Sequence, residues 1–471
     1  EKGDLIMGLF GRKEQNTEKM TETVTRAVAE VPTENSNPGD VSLGGDRMVC
    51  RHQLDHALSG DGQGVVMKFY IENFKRMNEL FGFSYCEELL KAILEYLREE
   101  TGCTVYRYVG VEFIAILRSR TQGQAVRLAE EILDRFSQSW KIDGTDCMCS
   151  CQIGLCSYPG YASSADEILK CLDLAVSKAA ETGMNQYAIY DSKLHAAHLR
   201  KQAIAKYIST ALENHELEIR FRPTYNTQEN RFVRAEYYMR MFVKDIGMVG
   251  SAEFVPIAED TGQISSVEYY ALERVAQEIA ELEKKGIEYE SIAVPVSPVL
   301  IIQENFVDTV QSMIEKYQIP SGKLAVEIDE YALTTTPVII EIVMQQLKDL
   351  GVELILNNFG SGYSGISKIL ELPVDTLKFE RMFMWQLETN PKSEPIVECL
   401  IKAADKLGKR LIAEGVETQR QLDILAKFGC AYQQGYYYSP TIPQELLVNV
   451  LGKSMEETRT VLDQEREKLK R

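Results

Sequence analysis

The chain has 471 residues, 45% hydrophobic and 26% charged, the composition of a soluble globular protein of two or three domains. Its 52 Lys+Arg against 70 Asp+Glu leave a formal charge of −18, which opposes attraction to a nucleic-acid polymer or an anionic membrane. No run of eighteen apolar residues occurs, and the first thirty residues lack the apolar segment and cleavage site of a secretory signal, so the expectation is a cytoplasmic protein with no membrane span.

In chain order, residues 1–45 are polar, and Pro32 to Asp40 (PTENSNPGD) is a dense cluster of turn formers, which predicts a flexible leader. From Val65 an apolar run (VVMKFYI) predicts a strand. A helix then carries Cys86, Leu89, Leu90, Ile93, Leu94 and Leu97 at helical spacing. Val105–Tyr108 and Phe113–Leu117 around Gly110 predict a β-hairpin, followed by a helix over Gln124–Phe136. Cys147, Cys149 and Cys151 alternate as on a β-strand and predict one buried face. With a helix over Ala165–Glu181 these complete an α/β domain at 46–191, and 192–214 continue as a helical linker. Eight of the ten cysteines fall between Cys50 and Cys171, but no paired CxxC or Cys/His spacing is present, so no metal or cluster is expected there. His52 and His56, four apart, read as a solvated helix face.

Residues 215–450 alternate short apolar strands with helices. Candidate strands are Glu218–Phe221, Ile292–Val296, Leu324–Ile328, Glu353–Leu356, Thr376–Phe379 and Arg410–Ala413. A repeated β-then-α order over this length predicts a closed (β/α)₈ barrel, whose ligands bind at the carboxyl ends of the strands. That rule selects Glu236, Glu327, Asn357, Asn358, Lys378 and Glu414. After Asn357 and Asn358 the sequence runs FGSGYS, with glycines that let the backbone approach a ligand closely. The last segment, 451–471, is rich in Glu, Lys and Arg and reads as a charged, solvated helix.

These residues resemble a known family. Arg234–Arg240 (RAEYYMR), Phe254–Gly262 (FVPIAEDTG), Leu324–Ile328 (LAVEI), Asn357–Ser364 (NNFGSGYS), Leu372–Lys378 (LPVDTLK), Ala413–Thr418 (AEGVET) and Gln434–Tyr436 (QGY) resemble, in order, the motifs of EAL domains, the TIM-like barrels that hydrolyse cyclic di-GMP. The resemblance implies ligand contacts at Arg240, Pro256, Asn358, Lys378, Glu414, Gln434 and Tyr436. It also implies that Glu236, Glu327, Asn357, Asn358, Lys378, Glu414 and Glu417 are what remains of a catalytic site that held two divalent cations. Three ligand positions depart from the pattern: Pro295 replaces an asparagine, and Asn357 and Asn358 replace aspartates. Arg222 stands where the family usually has glutamine. Hard cations want anionic oxygens, so no metal and no efficient hydrolysis are expected. The dinucleotide itself would meet less repulsion, at roughly 3 kcal/mol for each charge pair about 5 Å apart.

Residues 46–191 resemble a GGDEF domain, the module that makes cyclic di-GMP from GTP, through Asn73–Asn78 (NFKRMN), Gly82 and Leu172–Asn185 (LDLAVSKAAETGMN). Its signature hairpin reads Val109-Gly-Val-Glu-Phe113, Tyr70 replaces a metal-binding aspartate, Ala180 and Met184 replace basic residues, and the inhibitory Arg-x-x-Asp motif reads Thr101-Gly-Cys-Thr104. Three functions stay open: a metal-free cyclic di-GMP receptor signalling to a protein partner, a ligand-free interaction scaffold, or a residual phosphodiesterase holding Mg²⁺ or Mn²⁺ with Glu236, Glu327 and Glu414. By analogy with family barrels, a homodimer through the loop at 358–371 is a further expectation.

Overall fold

The computed structural model describes residues 47–335, 337–361 and 368–470. The expected leader lies outside them, as does the centre of the expected dimer loop. The chain divides into two compact units, one ending at Ala197 and the other starting at His198.

In the first unit, helix Arg47–Ser59 precedes β1 (Gly64–Ile71), helices Phe74–Phe81 and Phe83–Thr101, β2 (Val105–Val109) and β3 (Glu112–Arg118). Helix Gln122–Phe136, β4 (Trp140–Ile142), β5 (Thr145–Cys147), β6 (Cys151–Tyr158), helix Ala165–Ala180 and β7 (Tyr187–Ile189) follow. The sheet order is β2-β3-β1-β6-β7. The unbroken apolar run of β1 is explained by its place in the middle: Val65, Met67, Phe69 and Ile71 face one core, and Val66 faces another. Helix Gln122–Phe136 starts two residues before the predicted position because Thr121 and Gln124 form a reciprocal capping box.

The cysteine stretch is not one strand. Cys147 ends β5, Cys149 lies between strands and Cys151 opens β6, yet all three are buried. Alternation found the buried face but could not locate the break. His52 and His56 are exposed, as expected.

The second unit contains β8 (Leu217–Asn226), β9 (Arg231–Val243), β10 (Gly247–Gly250), β11 (Ser291–Val296), β12 (Leu324–Asp329), β13 (Glu353–Phe359), β14 (Thr376–Phe379), β15 (Arg410–Glu414), β16 (Tyr432–Gln434) and β17 (Ile442–Pro443). Pairing runs β9-β11-β12-β13-β14-β15-β16-β8 and closes through β8–β9, an eight-stranded barrel. Seven of these strands form a parallel array, but β8 is antiparallel to both β9 and β16. The amino end of β8 therefore sits with the carboxyl ends of the others. Helices such as Ile264–Lys284 and Ser393–Lys406 cover the outside, and Ala293, Ala325 and Ile355 fill the inside with small or branched side chains.

Two segments taken as peripheral in the sequence belong to this unit. In helix Ser192–Glu213, Ile204, Ile208 and Ala211 join the barrel's core. Helix Met455–Lys470 is docked rather than solvated, with Thr458, Leu462 and Glu465 almost fully buried. Two of those three residues are polar, which is why hydropathy missed the docking face.

Candidate functional site

Strand register brings the selected residues to one mouth. Arg222 pairs with Glu236, Pro295 with Glu327, Asp329 with Asn357, and Glu414 with Gln434. The barrel thus supplies Glu236 from β9, Glu327 from β12, the two asparagines from β13, Lys378 from β14, Glu414 from β15 and Gln434 from β16.

Lys378 is the hub. Its ammonium lies 2.7 Å from Glu236 Oε2, 3.2 Å from Glu327 Oε2 and 3.3 Å from Glu414 Oε2, with its side chain 1% exposed. A second cation, Arg222, reaches in from β8: Nη1 donates to Glu414 Oε1 at 3.1 Å and to the Tyr238 hydroxyl at 2.7 Å. Its guanidinium lies 4.3 Å from the centre of the Tyr238 ring, a cation–π contact that fixes it over the acids. In the sequence Arg222 stands out only as a departure from the family pattern, and Tyr238 not at all. The signal that would have found both is the hairpin of β8 and β9, whose short turn at 227–230 forces antiparallel pairing and sets Arg222 opposite Glu236.

The acids respond unequally. Burial raises the Glu327 carboxyl, to about 8, with Glu236 beside it adding to the rise. Burial also pushes Glu236 up, but Lys378 and Arg222 outweigh it and hold that carboxyl below its ordinary value. Burial alone would lower the Lys378 ammonium; Glu236, Glu327 and Glu414 instead hold it well above its usual range. At neutral pH, then, Glu327 keeps its proton while Glu236 is held ionised beside Lys378 and Arg222, so the mouth is far less negative than three glutamates would make it.

The asparagines are tied into the backbone. Asn357 Oδ1 accepts the Asn358 N–H at 2.9 Å, and Asn358 Nδ2 donates to Asp329 Oδ2. Asn358 is left-handed at φ 53°, a conformation asparagine tolerates better than most residues. Glu330, fully buried, accepts from Gly360 N at 2.9 Å and from Ser361 N and Oγ at 3.1 and 3.0 Å, and so pins the start of the loop.

The other predicted contacts are spread around the rim. Arg240 makes a bidentate pair with Glu218 at 2.6 and 2.7 Å. Gly250 pairs with Arg240, so helix Ser251–Asp260, which exposes Pro256, starts beside that arginine. Gln434 is buried; its Nε2 donates to Arg222 O and Thr224 Oγ1 at 3.2 Å, while its Oε1 has no partner among the described residues. Tyr436 is exposed. Glu417 pairs with Arg381 at 2.8 Å, and both line a groove of about 580 Å³ that also includes Asn358, Trp385 and Gly415.

In the first unit, the positions that would face a nucleotide triphosphate are apolar and open. Tyr70, Val109 and Met184 are 38%, 49% and 68% exposed, and Ala180 is exposed too.

The EAL domain family model matches residues 205–441, and the diguanylate cyclase GGDEF domain model matches residues 47–186. The bifunctional diguanylate cyclase/cyclic di-GMP phosphodiesterase MucR of Pseudomonas aeruginosa is 25% identical over 86% of this chain and 60% of its own length. The chain spans 48–60% of the length of the first three curated relatives it matches. The structure of the MucR phosphodiesterase in complex with c-di-GMP superimposes with a TM-score of 0.50 at 25% identity, over 52% of this chain and 99% of that one. The S helix-GGDEF-EAL portion of Vibrio cholerae LapD, bound to c-di-GMP, has a TM-score of 0.55 at 21% identity, over 91% of this chain and 99% of that one, and shares the fold. With an EAL match spanning half its length and a GGDEF match immediately before it, the chain belongs to the EAL family, its EAL barrel preceded by a GGDEF domain.

Proposed function

We propose that this chain is a metal-independent cyclic di-GMP receptor that does not hydrolyse its ligand. The observation that carries the reading is the pair of resident cations, Lys378 and Arg222, set against Glu236, Glu327 and Glu414. In the related barrels as the resemblance describes them, divalent cations meet this charge. Here the donor set fits such cations poorly. Pro295 has no side-chain oxygen, Asn357 spends its carbonyl on a backbone N–H, and every one of the three glutamates already holds an ammonium or guanidinium. Two phosphates can approach a cluster so balanced without a metal.

Three features favour binding over a vacant fold. The MucR barrel, similar over half this chain, is described in complex with c-di-GMP. Gln434 Oε1 is a buried acceptor that a ligand N–H would satisfy, and leaving such a group unpaired costs about 1–3 kcal/mol. Arg240 stands at the rim with its Nη1 outside the Glu218 pair, able to meet a phosphate oxygen. In this reading the GGDEF-like unit takes no GTP, since Tyr70, Val109, Ala180 and Met184 provide neither metal ligands nor phosphate cations. A cytoplasmic location, a protein partner and a homodimer complete the proposal; among the described residues no helix is long and apolar enough to cross a membrane.

Calorimetry with cyclic di-GMP tests it. Binding heat is expected in EDTA, with the affinity changed less than about threefold by Mn²⁺, since the receptor's cations are its own. Hydrolysis in Mn²⁺ faster than that of a Glu236→Ala control would overturn the inactive assignment, and no heat in either condition would overturn the receptor.

A further inference from the structure

Helix Met455–Lys470 is held by polar contacts that lead back to the mouth. Thr458, Leu462 and Glu465 form a stripe at i, i+4 and i+7. Glu465 Oε1 lies 2.5 Å from Arg220 Nη2, with side chains 4% and 5% exposed. Arg466 Nη2 donates to the carbonyls of Tyr436, Tyr437 and Tyr438 at 3.2, 3.1 and 2.9 Å, the stretch that begins two residues after Gln434.

Arg220 sits on β8 midway between Glu218 and Arg222, and alternation puts all three on one face of that strand. Arg220 Nη1 donates to Glu218 Oε1 at 3.0 Å, and Glu218 in turn holds Arg240 through both oxygens. A row of alternating charges, Arg240–Glu218–Arg220–Glu465, thus runs from the rim to the helix.

We propose that this row couples occupancy of the barrel mouth to docking of helix Met455–Lys470, making that helix the element through which the receptor signals. The inference rests on the receptor reading above. A phosphate at Arg240 Nη1 shares the guanidinium's charge with Glu218, which holds Nε and Nη2, and loosens that pair. Glu218 then turns more fully to Arg220, which already divides its charge between Glu218 and Glu465, and the hold on Glu465 weakens. Because Arg220 and Glu465 are buried, their link is little screened by salt; the half-exposed Arg240–Glu218 link is the salt-sensitive one. Arg466 adds a second connection, since displacement of the helix frees the backbone of Tyr436–Tyr438 beside the ligand. Reciprocity follows: whatever factor the ligand takes from helix docking, docking takes from ligand affinity.

Hydrogen exchange on the full chain reads the coupling. Without ligand, Arg240→Gln, which does not touch the helix, should speed exchange of the amides of residues 459–468 by about three- to tenfold, the range of coupling carried by such networks. Lys244→Gln, an exposed charge on the turn after β9 and outside the row, should leave them unchanged. Cyclic di-GMP in EDTA should speed the same amides in the wild type but not in Glu218→Gln. If Arg240→Gln leaves them unmoved, or if the ligand gives binding heat without altering their exchange, the coupling is refuted. If Arg240→Gln speeds exchange but no binding heat is seen, the row stands as a mechanical link and the receptor reading fails instead.

Discussion

Replacing Arg222 by the glutamine usual at this position in the family should separate charge balance from shape. The guanidinium is 3.1 Å from Glu414, and the two side chains are 21% and 14% exposed. Removing it leaves Glu414 answered, among the described residues, by Lys378 alone, 3.3 Å away and shared with two other acids. A carboxylate about 6 Å from an incoming phosphate, at an effective dielectric near 20, repels it by roughly 3 kcal/mol. Partial exposure and the remaining hold of Lys378 halve this, giving a net loss of about 1.5–2 kcal/mol, or ten- to thirtyfold in affinity. Arg222→Gln should therefore bind cyclic di-GMP ten- to thirtyfold more weakly in EDTA, measured by calorimetry, and part of the loss should return with Mn²⁺ as Glu414 becomes available to a cation. An affinity within threefold of wild type would refute the argument that Arg222 acts as the site's own cation.

Binding should also depend on pH. Glu327 is neutral below about 8, so raising the pH through 8 adds a negative charge to the mouth and weakens ligand binding; Glu327→Gln should flatten that dependence in a calorimetric series from pH 6.5 to 9. At the opposite end of the barrel, burial would raise Glu353, but Arg234 at 2.7 Å and Arg410 at 2.8 Å hold it down to about 2. Its folded value lies below its unfolded one, so its stabilisation of about 3 kcal/mol is present above pH 4.5 and lost as the pH falls toward 2. Glu353→Gln should lower stability at pH 7 by about 3–5 kcal/mol in urea melts, because Arg234 is left buried without its carboxylate, and should lessen the acid sensitivity. Gly435→Ala should disrupt the turn after Gln434: a Cβ there would meet Val416 O at 2.2 Å and Val416 N at 2.4 Å, against the backbone bonds from Gly415 and Val416 to Gln434 O. Loss of ligand binding with a lowered melting temperature is expected, whereas Gly123→Ala, exposed in the first turn of helix Gln122–Phe136 with open space around it and no positive φ, serves as the control in the other unit.

Much of the architecture was legible because the parallel strands are buried on both faces and read as short apolar runs. The six strands picked from the sequence all appear, several a few residues longer. β9 and β16 escaped as strands for a physical reason: their inward positions carry Arg234, Glu236, Arg240 and Gln434, polar residues that the barrel interior uses and that break an apolar pattern. The strand at Glu218–Phe221 appears as β8, but its antiparallel direction escaped: a repeated β-then-α order implies a parallel array, and with β9 unread the hairpin through 227–230 does not show. Of the candidate residues, Glu236, Glu327, Lys378, Glu414 and Gln434 come together within one cluster of contacts, whereas Arg240, Pro256, Tyr436 and Glu417 lie around its rim.

The sequence by itself determined the two-unit organisation, the barrel, the identity of the mouth residues and the departures from the family motifs at Pro295, Asn357 and Asn358, because motif order and residue chemistry are local facts. Only the tertiary structure decided how the surviving acids are balanced. Arg222 is far from Glu414 in the chain yet 3.1 Å away in space, and Glu465 lies beside Arg220 although the helix that bears it reads as solvated. Ion pairs of this kind arise between strands and helices remote in sequence, where barrel closure and burial, rather than any local pattern, fix which charges meet.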